Sequence, residues 1–234
     1  MSEGPEKRKQ QRIQVELPIR YNRYLVRLPV VYRAEAADSE HAGVGWTRNL
    51  SESGMCVELD ERLRPDTVLS IRIQTDRGHI EGRAKVVWAG GPGGTESGIP
   101  HGVVFTEMSP DQRQGLHDKL HPLSMVPHAD VRLPLKIPIT CQRKDQAGEL
   151  VQGHTGNLSR GGILAYLPQA LPPGTVVTIS LPTSKGAIRV EGTVTWVEPP
   201  GQRQQGQPIQ HGLRFNFLSW SSSLLLGLLL AESK

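Results

Sequence analysis

The sequence predicts an all-β protein built from two tandem copies of one small domain. The first observation is an internal repeat, in which TRNLSESGMCVEL (47–59) matches TGNLSRGGILAYL (155–167) 108 positions later. The second is that short runs rich in Val, Ile and Thr alternate with Gly, Pro and Asp in both halves. A period of this length indicates two copies of a domain rather than a solenoid of short units. About six short strands per copy are typical of a small antiparallel barrel or sandwich.

The first copy is predicted to contain short strands followed by one helix. The strands are predicted at VLSIRIQT (68–75), AKVVWAG (84–90) and GVVFTEM (102–108). GGPGG at 90–94 is interpreted as a hairpin tip, because the Lys-Ser/Thr pair and helix of a phosphate-binding loop do not follow it. SPDQRQGLHDKLHPL at 109–123 predicts a helix, since Ser109 can cap its N-terminus and a proline occupies its first turn.

The second copy repeats this order of elements. Its strands are predicted at VVTISLPT (176–183), VTWVEP (194–199) and GLRFNF (212–217). Trp88 and Trp196 align between the copies and are interpreted as core residues. The segment SWSSSLLLGLLLAESK at 219–234 predicts a helix that is apolar on most sides. Such a helix needs cover from its own domain, from the other domain or from another chain.

Composition and charge indicate where the domains begin and end and which classes of partner the chain can bind. We expect a basic N-terminal tail at 1–18, a first domain at 19–123 and a second domain at 124–234. The 234 residues carry a formal net charge of +4 and the pI is about 9.2, which is consistent with an anionic partner. Aromatic residues make up only 5% of the chain, which is few for a barrel that stacks nucleic-acid bases.

Several classes of function find no support in the sequence. There is no HExxH, no GxSxG and no repeated pair of carboxylates, so we expect no enzyme activity, no metal and no cofactor. His101 and His211 align and are interpreted as structural histidines in turns. Cys56 and Cys141 form no CxxC and are predicted to be buried, reduced thiols in strands. No secretory signal is present and the apolar run at 224–231 is too short to span a bilayer, so we expect a cytoplasmic protein.

Two short motifs in the first copy can bind an anionic nucleotide. RYLVR at 23–27 places Arg23 and Arg27 four residues apart. Each guanidinium can bind a phosphate or a guanine edge through two parallel hydrogen bonds. NLSESG at 49–54 places Asn49, which both donates and accepts, beside Ser51 and Gly54. The serine can turn the chain locally, and the glycine permits positive φ and lets a backbone or ligand approach closely. Neighbouring Arg48 adds positive potential.

In this order, with 22 positions from Arg27 to Asn49, the two motifs resemble the PilZ domain family. The resemblance covers nearly the whole chain, since each copy also has the later tryptophan, an HG…F strand and a closing helix. It implies two tandem six-stranded antiparallel β-barrels, each closed by a C-terminal helix, in a family that binds the bacterial second messenger cyclic di-GMP. It also implies that Arg23 and Arg27 hold phosphate and guanine, while Asn49, Ser51 and Gly54 hold the other guanine edge.

The second copy departs from this pattern in its first motif. Val-Arg-Leu-Pro recurs at 131–134, which places Arg132 opposite Arg27 and His128 opposite Arg23. Neutral histidine carries no permanent charge, and a charge-assisted hydrogen bond contributes about 1.5–3 kcal/mol, so we expect weak or no binding there. An alternative is that a partner or neighbouring chain supplies the missing cation. The matching residues of this degenerate second site are Arg132, Asn157, Ser159 and Gly162.

The sequence therefore favours a receptor that binds cyclic di-GMP through its first domain. It would signal by conformational change or partner binding, in control of motility, biofilm formation or exopolysaccharide. One alternative is a nucleotide-independent PilZ-type adaptor, which the apolar last helix and the degenerate second copy favour. A nucleic-acid-binding barrel is a third candidate, but no base-reading pattern supports it. We expect a protein partner in motility or polysaccharide machinery, no nucleic acid and no membrane span; homodimer formation stays open.

Overall fold

The computed structural model describes residues 25–36, 39–76, 78–94, 97–123, 132–145, 150–203 and 206–232. They form two closed six-stranded antiparallel β-barrels and two α-helices, which confirms the predicted fold class. The predicted tail at 1–18 and the start of the second domain at 124 lie outside these residues, so the domain boundaries stay predictions.

The first barrel contains six strands and one helix. Its strands are β1 (Pro29–Ala36), β2 (Ser39–Ser51), β3 (Gly54–Leu59), β4 (Val68–Thr75), β5 (Gly78–Ala89) and β6 (Ile99–Glu107). They pair in the order β1-β2-β3-β6-β5-β4, and β4 pairs back with β1 to close the ring. Helix α1 (Pro110–Leu123) begins as predicted, because Ser109 Oγ accepts a hydrogen bond from Gln112 N at 3.2 Å. Leu116 and Leu120 of α1 are buried in the core of this barrel.

The second barrel repeats this arrangement with one short additional strand. Its elements are β7 (Leu133–Pro134), β8 (Pro138–Arg143), β9 (Leu150–Leu158), β10 (Gly162–Leu167), β11 (Val176–Thr183), β12 (Gly186–Val197), β13 (Ile209–Phe217) and α2 (Trp220–Glu232). The ring runs β8-β9-β10-β13-β12-β11 and closes through pairing of β11 with β8, while β7 pairs with β9. Ser219 Oγ caps α2 by accepting from Ser222 N at 3.2 Å.

Alternation of side chains along the strands builds a core inside each barrel. In β4, Leu69, Ile71 and Ile73 point inward and are buried, whereas Arg72 between them is exposed. The same period of two is what distinguishes a half-buried strand from a helix in the sequence. Each barrel therefore holds its own cluster of buried aliphatic side chains.

Helix α2 is covered by both barrels. It contacts β12 of its own barrel and β1 and β2 of the first barrel. Trp46 Nε1 of the first barrel donates a hydrogen bond to the Ser223 carbonyl oxygen at 2.9 Å, and Trp220 Nε1 of the helix donates to Asp60 Oδ1 at 3.0 Å. Gly227 permits this approach, since a Cβ there would lie 2.9 Å from Val44 Cγ1. Trp46 is thus part of the hydrophobic cluster of the second barrel.

Of two predictions about buried residues, the one for the tryptophans is wrong and the one for the cysteines is wrong in part. Trp88 and Trp196 are 46% and 42% exposed rather than core residues, and each indole covers a glycine of the neighbouring strand, Gly102 or Gly212. Among the cysteines, Cys141 in β8 is buried as predicted, but Cys56 in β3 is only partly buried; neither forms a disulfide. Burial raises the pKa of the Cys141 thiol to about 12. No helix in the described ranges is long and apolar enough to cross a membrane.

Candidate functional site

The segment that carries the first arginine motif is fixed to the first barrel by a buried threonine. Thr47, which is fully buried in β2, accepts from Leu28 N through its Oγ1 at 2.9 Å and donates that hydroxyl proton to the Val26 carbonyl oxygen. Its own backbone N–H donates to the Leu28 carbonyl oxygen at 3.0 Å. Val26 and Leu28 are buried as well, so Arg27 between them turns toward the barrel surface, where it is half-buried.

Arg27 meets a buried carboxylate. Its Nη1 lies 2.6 Å from Glu58 Oε2 and also donates to the Thr47 carbonyl oxygen at 3.4 Å. The Glu58 side chain is only 2% exposed, and Arg48 Nε approaches its other oxygen at 3.6 Å. A buried carboxylate requires a cation because its desolvation is costly. Glu58 therefore holds the Arg27 and Arg48 guanidinium groups side by side.

A cavity of about 560 Å³ opens beside these arginines and lies between the two barrels. From the first barrel Arg27, Arg48 and Glu58 line it; from the second barrel Arg160 and Phe217 are among its lining residues. The volume falls within the roughly 300–1,000 Å³ typical of small-ligand sites. Its lining is polar and rich in guanidinium groups, which suits an anionic ligand.

The second motif forms the β2–β3 hairpin. Asn49 Oδ1 accepts from Cys56 N at 3.2 Å across a bulge in the pairing of β2 with β3, and Ser51 Oγ donates to the Gly54 carbonyl oxygen at 3.0 Å. Gly54 is required by close packing and not by a positive φ, since a Cβ there would lie 2.2 Å from the Val103 carbonyl oxygen. With Oδ1 engaged, Asn49 has its Nδ2 donors to offer a ligand, and donors match the O6 and N7 acceptors of guanine.

The predicted residues of the first site lie in two adjoining places. Asn49, Ser51 and Gly54 line a cavity of about 220 Å³ together with the half-exposed Trp88. Arg27 lines the cavity between the barrels, so the two motifs do not share one cavity in this structure. The two cavities adjoin at the bulge of β2. There Arg48 lines the cavity between the barrels, and Asn49 lines the smaller cavity. Arg23 lies outside the described residues.

The structure corrects the alignment of the first motif in the second copy. Thr155, the counterpart of Thr47, accepts from Ile137 N at 3.1 Å and donates to the Leu135 carbonyl oxygen. Leu135 and Ile137 therefore take the places of Val26 and Leu28, which puts Lys136 in the place of Arg27. Counting four residues back, Arg132 matches Arg23 and not Arg27. The second copy thus reads Arg-xxx-Lys, and His128, outside the described residues, is not part of the motif.

The second hairpin of the motif is less open than the first. Ser159 is 3% exposed and donates to the Gly162 carbonyl oxygen at 3.3 Å, and Asn157 Oδ1 is buried with no hydrogen-bond partner among the described residues. Gly162 packs like its counterpart, with a Cβ position 2.2 Å from the Leu213 carbonyl oxygen. Arg160 in the same turn lies against the first barrel, its Cζ 5.8 Å from the Trp46 ring centroid. This turn is therefore engaged by the other domain.

The aligned histidines have a structural role, as predicted, although they lie in strands rather than turns. Both are fully buried, and each accepts a backbone N–H at Nε2 from Leu63 or Leu171, at 3.0 Å. Each Nδ1 lies 2.9 Å from a carbonyl oxygen, so Nδ1 must donate and the ring is neutral. Burial lowers the pKa of both His101 and His211. Neither ring is placed for acid–base chemistry on a ligand.

Sequence reasoning missed four residues of this region: Glu58, Lys136, Arg160 and Phe217. The signal for Glu58 was a lone carboxylate inside the apolar strand GMCVEL. Lys136 was missed because the sequence at 131–134 is identical to Val-Arg-Leu-Pro, whereas the sequence at 135–138 is only similar to it. Nothing in one sequence shows that Arg160 and Phe217 face another domain. Within the described ranges, no group of three or more His, Cys, Asp or Glu side chains could hold a metal ion.

Comparison with known proteins found a matching family model and similar solved structures. A family model described as PilZ domain matches residues 6–120 and 129–231. No curated protein matches the chain. Among solved structures, the Bacillus subtilis inhibitor of motility (MotI/DgrA) is 10% identical, over 87% of this chain and 94% of its own, with a TM-score of 0.36. The Borreliella burgdorferi PlzA protein in complex with c-di-GMP is 12% identical, over 89% and 88%, with a TM-score of 0.36. Escherichia coli YcgR in complex with c-di-GMP is 12% identical, over 83% and 79%, with a TM-score of 0.33.

Proposed function

The chain belongs to the PilZ domain family, and on that premise we propose that it is a cytoplasmic receptor that binds cyclic di-GMP through its first barrel. Occupancy of this site would be signalled by a change of shape or by partner binding, in control of motility, biofilm formation or exopolysaccharide. The observation that carries the proposal is the pair of guanidinium groups, Arg27 and Arg48, held by Glu58 on a cavity next to the Asn49 hairpin.

The chemistry of these residues matches the two parts of the ligand. Phosphate groups suit Arg27 and Arg48, because guanidinium groups form charge-assisted hydrogen bonds to phosphate oxygens. A guanine edge suits the Nδ2 donors of Asn49, and the half-exposed Trp88 offers an apolar face in the same cavity. A single ligand would cross the bulge of β2 to reach both cavities. Arg23 is proposed as a further phosphate or guanine ligand, and Ser51 and Gly54 as the residues that shape the hairpin.

Three features favour the first barrel over the second as the binding domain. Lys136 replaces Arg27, and lysine offers a point charge where arginine offers a planar pair of donors. The second hairpin is more buried, with Ser159 3% exposed. Its Arg160 already contacts the first barrel through Trp46. The degenerate second site, at Arg132, Asn157, Ser159 and Gly162, is accordingly proposed to bind weakly or not at all.

Calorimetric titration with cyclic di-GMP tests the proposal through a matched pair of variants. Arg27→Ala should lower the affinity tenfold or more, because a charge-assisted hydrogen bond contributes about 1.5–3 kcal/mol. Lys136→Ala, the same change in the second copy, should leave the affinity within about twofold. Binding by the unaltered chain should weaken with added salt, since charges are being paired.

Folding of these variants has to be checked because Arg27 neutralises a buried carboxylate. Arg27→Lys keeps that charge and loses the paired donors, so it should fold normally and still bind more weakly than the native chain. Native affinity in both Arg27 variants, with circular dichroism unchanged, would reject the site. Equal losses in Arg27→Ala and Lys136→Ala would show that both barrels bind.

A nucleotide-independent adaptor is the second candidate, and a groove between α2 and the first barrel favours it. About 630 Å³ in volume, the groove runs between α2 and strand β2, with Leu224, Leu225 and Leu228 along one wall and Asp60 and Glu61 on the other. Apolar grooves with a charged edge are suited to protein segments. The titration separates the two candidates, because an adaptor of this kind would show no heat with cyclic di-GMP.

A further inference from the structure

The second barrel presents two unlike side chains to the cavity that holds the first-barrel arginines. Arg160, in the turn between β9 and β10, lies with its Cζ 5.8 Å from the Trp46 ring centroid and lines the cavity. Phe217, at the end of β13, lines the same cavity and is 51% exposed. An exposed phenylalanine ring and a guanidinium group are the two kinds of side chain that bind a purine nucleotide, by stacking and by pairing with phosphate.

Comparison of the two copies shows that the barrel itself does not require these residues. Arg160 occupies the position of Glu52, and Phe217 occupies the position of Glu107. Both glutamates are exposed on the first barrel, and the first barrel closes with them in place. The second copy therefore has a cation and an aromatic ring in place of two carboxylates, at positions that face the other domain. A carboxylate at either position would repel an anion in the cavity.

The charges that line the cavity balance those of a cyclic dinucleotide. Arg27, Arg48 and Arg160 contribute three positive charges and Glu58 contributes one negative charge, which leaves two net positive charges. Cyclic di-GMP carries two phosphate groups and hence two negative charges. Without Arg160 the lining would carry one net positive charge. The second barrel therefore supplies one of the two net positive charges that the described lining residues present to the ligand.

We infer that the second barrel completes the cyclic di-GMP site of the first, with Arg160 as a phosphate ligand and Phe217 as a stacking surface for guanine. This inference rests on the function proposed above. It gives the second copy a role that does not need a nucleotide of its own. A ligand held between the two barrels stabilises the arrangement in which both contact it, so occupancy of the first barrel is transmitted to the second.

The test is a calorimetric titration of the full chain and of its variants with cyclic di-GMP. Arg160→Gln should lower the affinity about tenfold, as expected for loss of one charge-assisted hydrogen bond. It should also make the affinity less sensitive to salt, because one charge fewer is paired with the ligand. Phe217→Ala should lower the affinity about fivefold or more through lost stacking. Arg189→Gln is the matched control, since Arg189 is an exposed arginine of β12 that does not line the cavity.

The outcomes separate this inference from the proposal it rests on. Native affinity and native salt sensitivity in Arg160→Gln and Phe217→Ala, with affinity lost in Arg27→Ala, would overturn the inference and leave the first-barrel site in place. A native chain that binds no cyclic di-GMP would overturn both. Because Arg160 also packs on Trp46, Arg160→Gln is compared with Arg160→Lys, which keeps the charge and should retain most of the salt sensitivity.

Discussion

Single buried side chains decide where the motif residues of this protein lie. The hydroxyls of Thr47 and Thr155 fix the segment before the first long strand of each barrel, and they set its register. Sequence comparison alone matched Val-Arg-Leu-Pro with its identical repeat at 131–134, whereas the hydrogen bonds select 135–138. The motif residues of the first copy could be predicted from their types and spacing. The register of this segment in the second copy could not be predicted from the sequence, because it depends on contacts between residues about 20 positions apart.

His101 gives a prediction about stability at the same scale. Its pKa is lowered by burial, so the folded protein resists protonation of this ring below the ordinary value of 6.5. A group whose pKa is depressed on folding contributes stability above its unfolded pKa and loses it as the pH falls toward the folded pKa. The free energy of unfolding should therefore fall below about pH 6.5, by at most about 1.4 kcal/mol per pH unit for each such histidine. Thermal unfolding followed between pH 5 and 8 measures this effect.

Substitution of the histidine isolates its share of the pH dependence. His101→Gln should flatten the decline below pH 6.5, because an amide does not titrate there. It should also lower the unfolding midpoint at every pH, because the Ile99 carbonyl oxygen loses the Nδ1 donor, while the amide oxygen can still accept from Leu63 N. His41→Gln is the control, since His41 is an exposed histidine of the same barrel. An unchanged decline in His101→Gln would mean that other groups cause it.

At the scale of the elements, the positions of the strands were predictable and the departures from ideal pairing were not. VLSIRIQT and VVTISLPT coincide with β4 and β11, because strict alternation of apolar side chains identifies a half-buried strand. The tryptophans were misplaced because the pairing shifts between Val86 and Trp88, and again between Val194 and Trp196. A bulge adds one residue to a strand and turns the following side chain to the other face. No periodicity in the sequence reveals such a residue.

The matching turns before β4 and β11 allow a reciprocal exchange of residues between the two barrels. Asp66 has a φ of 69°, and Gly174 at the matching position of the second barrel has a φ of 89°. Residues other than glycine are disfavoured at positive φ, although aspartate tolerates this conformation better than most residues. Asp66→Gly should raise the free energy of unfolding by about 0.5–1 kcal/mol, and Gly174→Asp should lower it by a similar amount. Urea denaturation of both variants measures the difference.

One ion pair limits the gain from this exchange. Asp66 Oδ1 lies 3.0 Å from Lys85 Nζ, and both side chains are exposed, so its loss should cost well under 1 kcal/mol. Lys85→Met in the native background measures that cost separately. Stabilisation by Gly174→Asp would contradict the account of this turn.

At the scale of the whole molecule, the two barrels are joined into one unit by the last helix and by the cavity between them. Helix α2 donates and accepts hydrogen bonds across the interface through Trp220 and Ser223, and Trp46 of the first barrel is buried among second-barrel side chains. The apolar sequence of the helix predicted that it needs cover. It could not show that both barrels supply the cover, because that depends on how the barrels are placed.

This placement explains why two similar copies would have different roles. The first copy presents its hairpin to a surface cavity and its arginines to the cavity between the barrels. The second copy directs Arg160 of its own hairpin toward the first barrel. The central claim is that Asn49 of the first hairpin, and not the matching Asn157 of the second, binds a guanine of cyclic di-GMP.

Calorimetric titration of Asn49→Ala and Asn157→Ala with cyclic di-GMP tests this claim most directly. The two substitutions remove the same side chain from matching positions, and each variant is first shown to unfold at a midpoint close to that of the native chain. Asn49→Ala should lower the affinity about fivefold or more, since a hydrogen bond to guanine is lost, whereas Asn157→Ala should bind within about twofold of the native chain. Equal losses in the two variants, or a loss confined to Asn157→Ala, would contradict the claim.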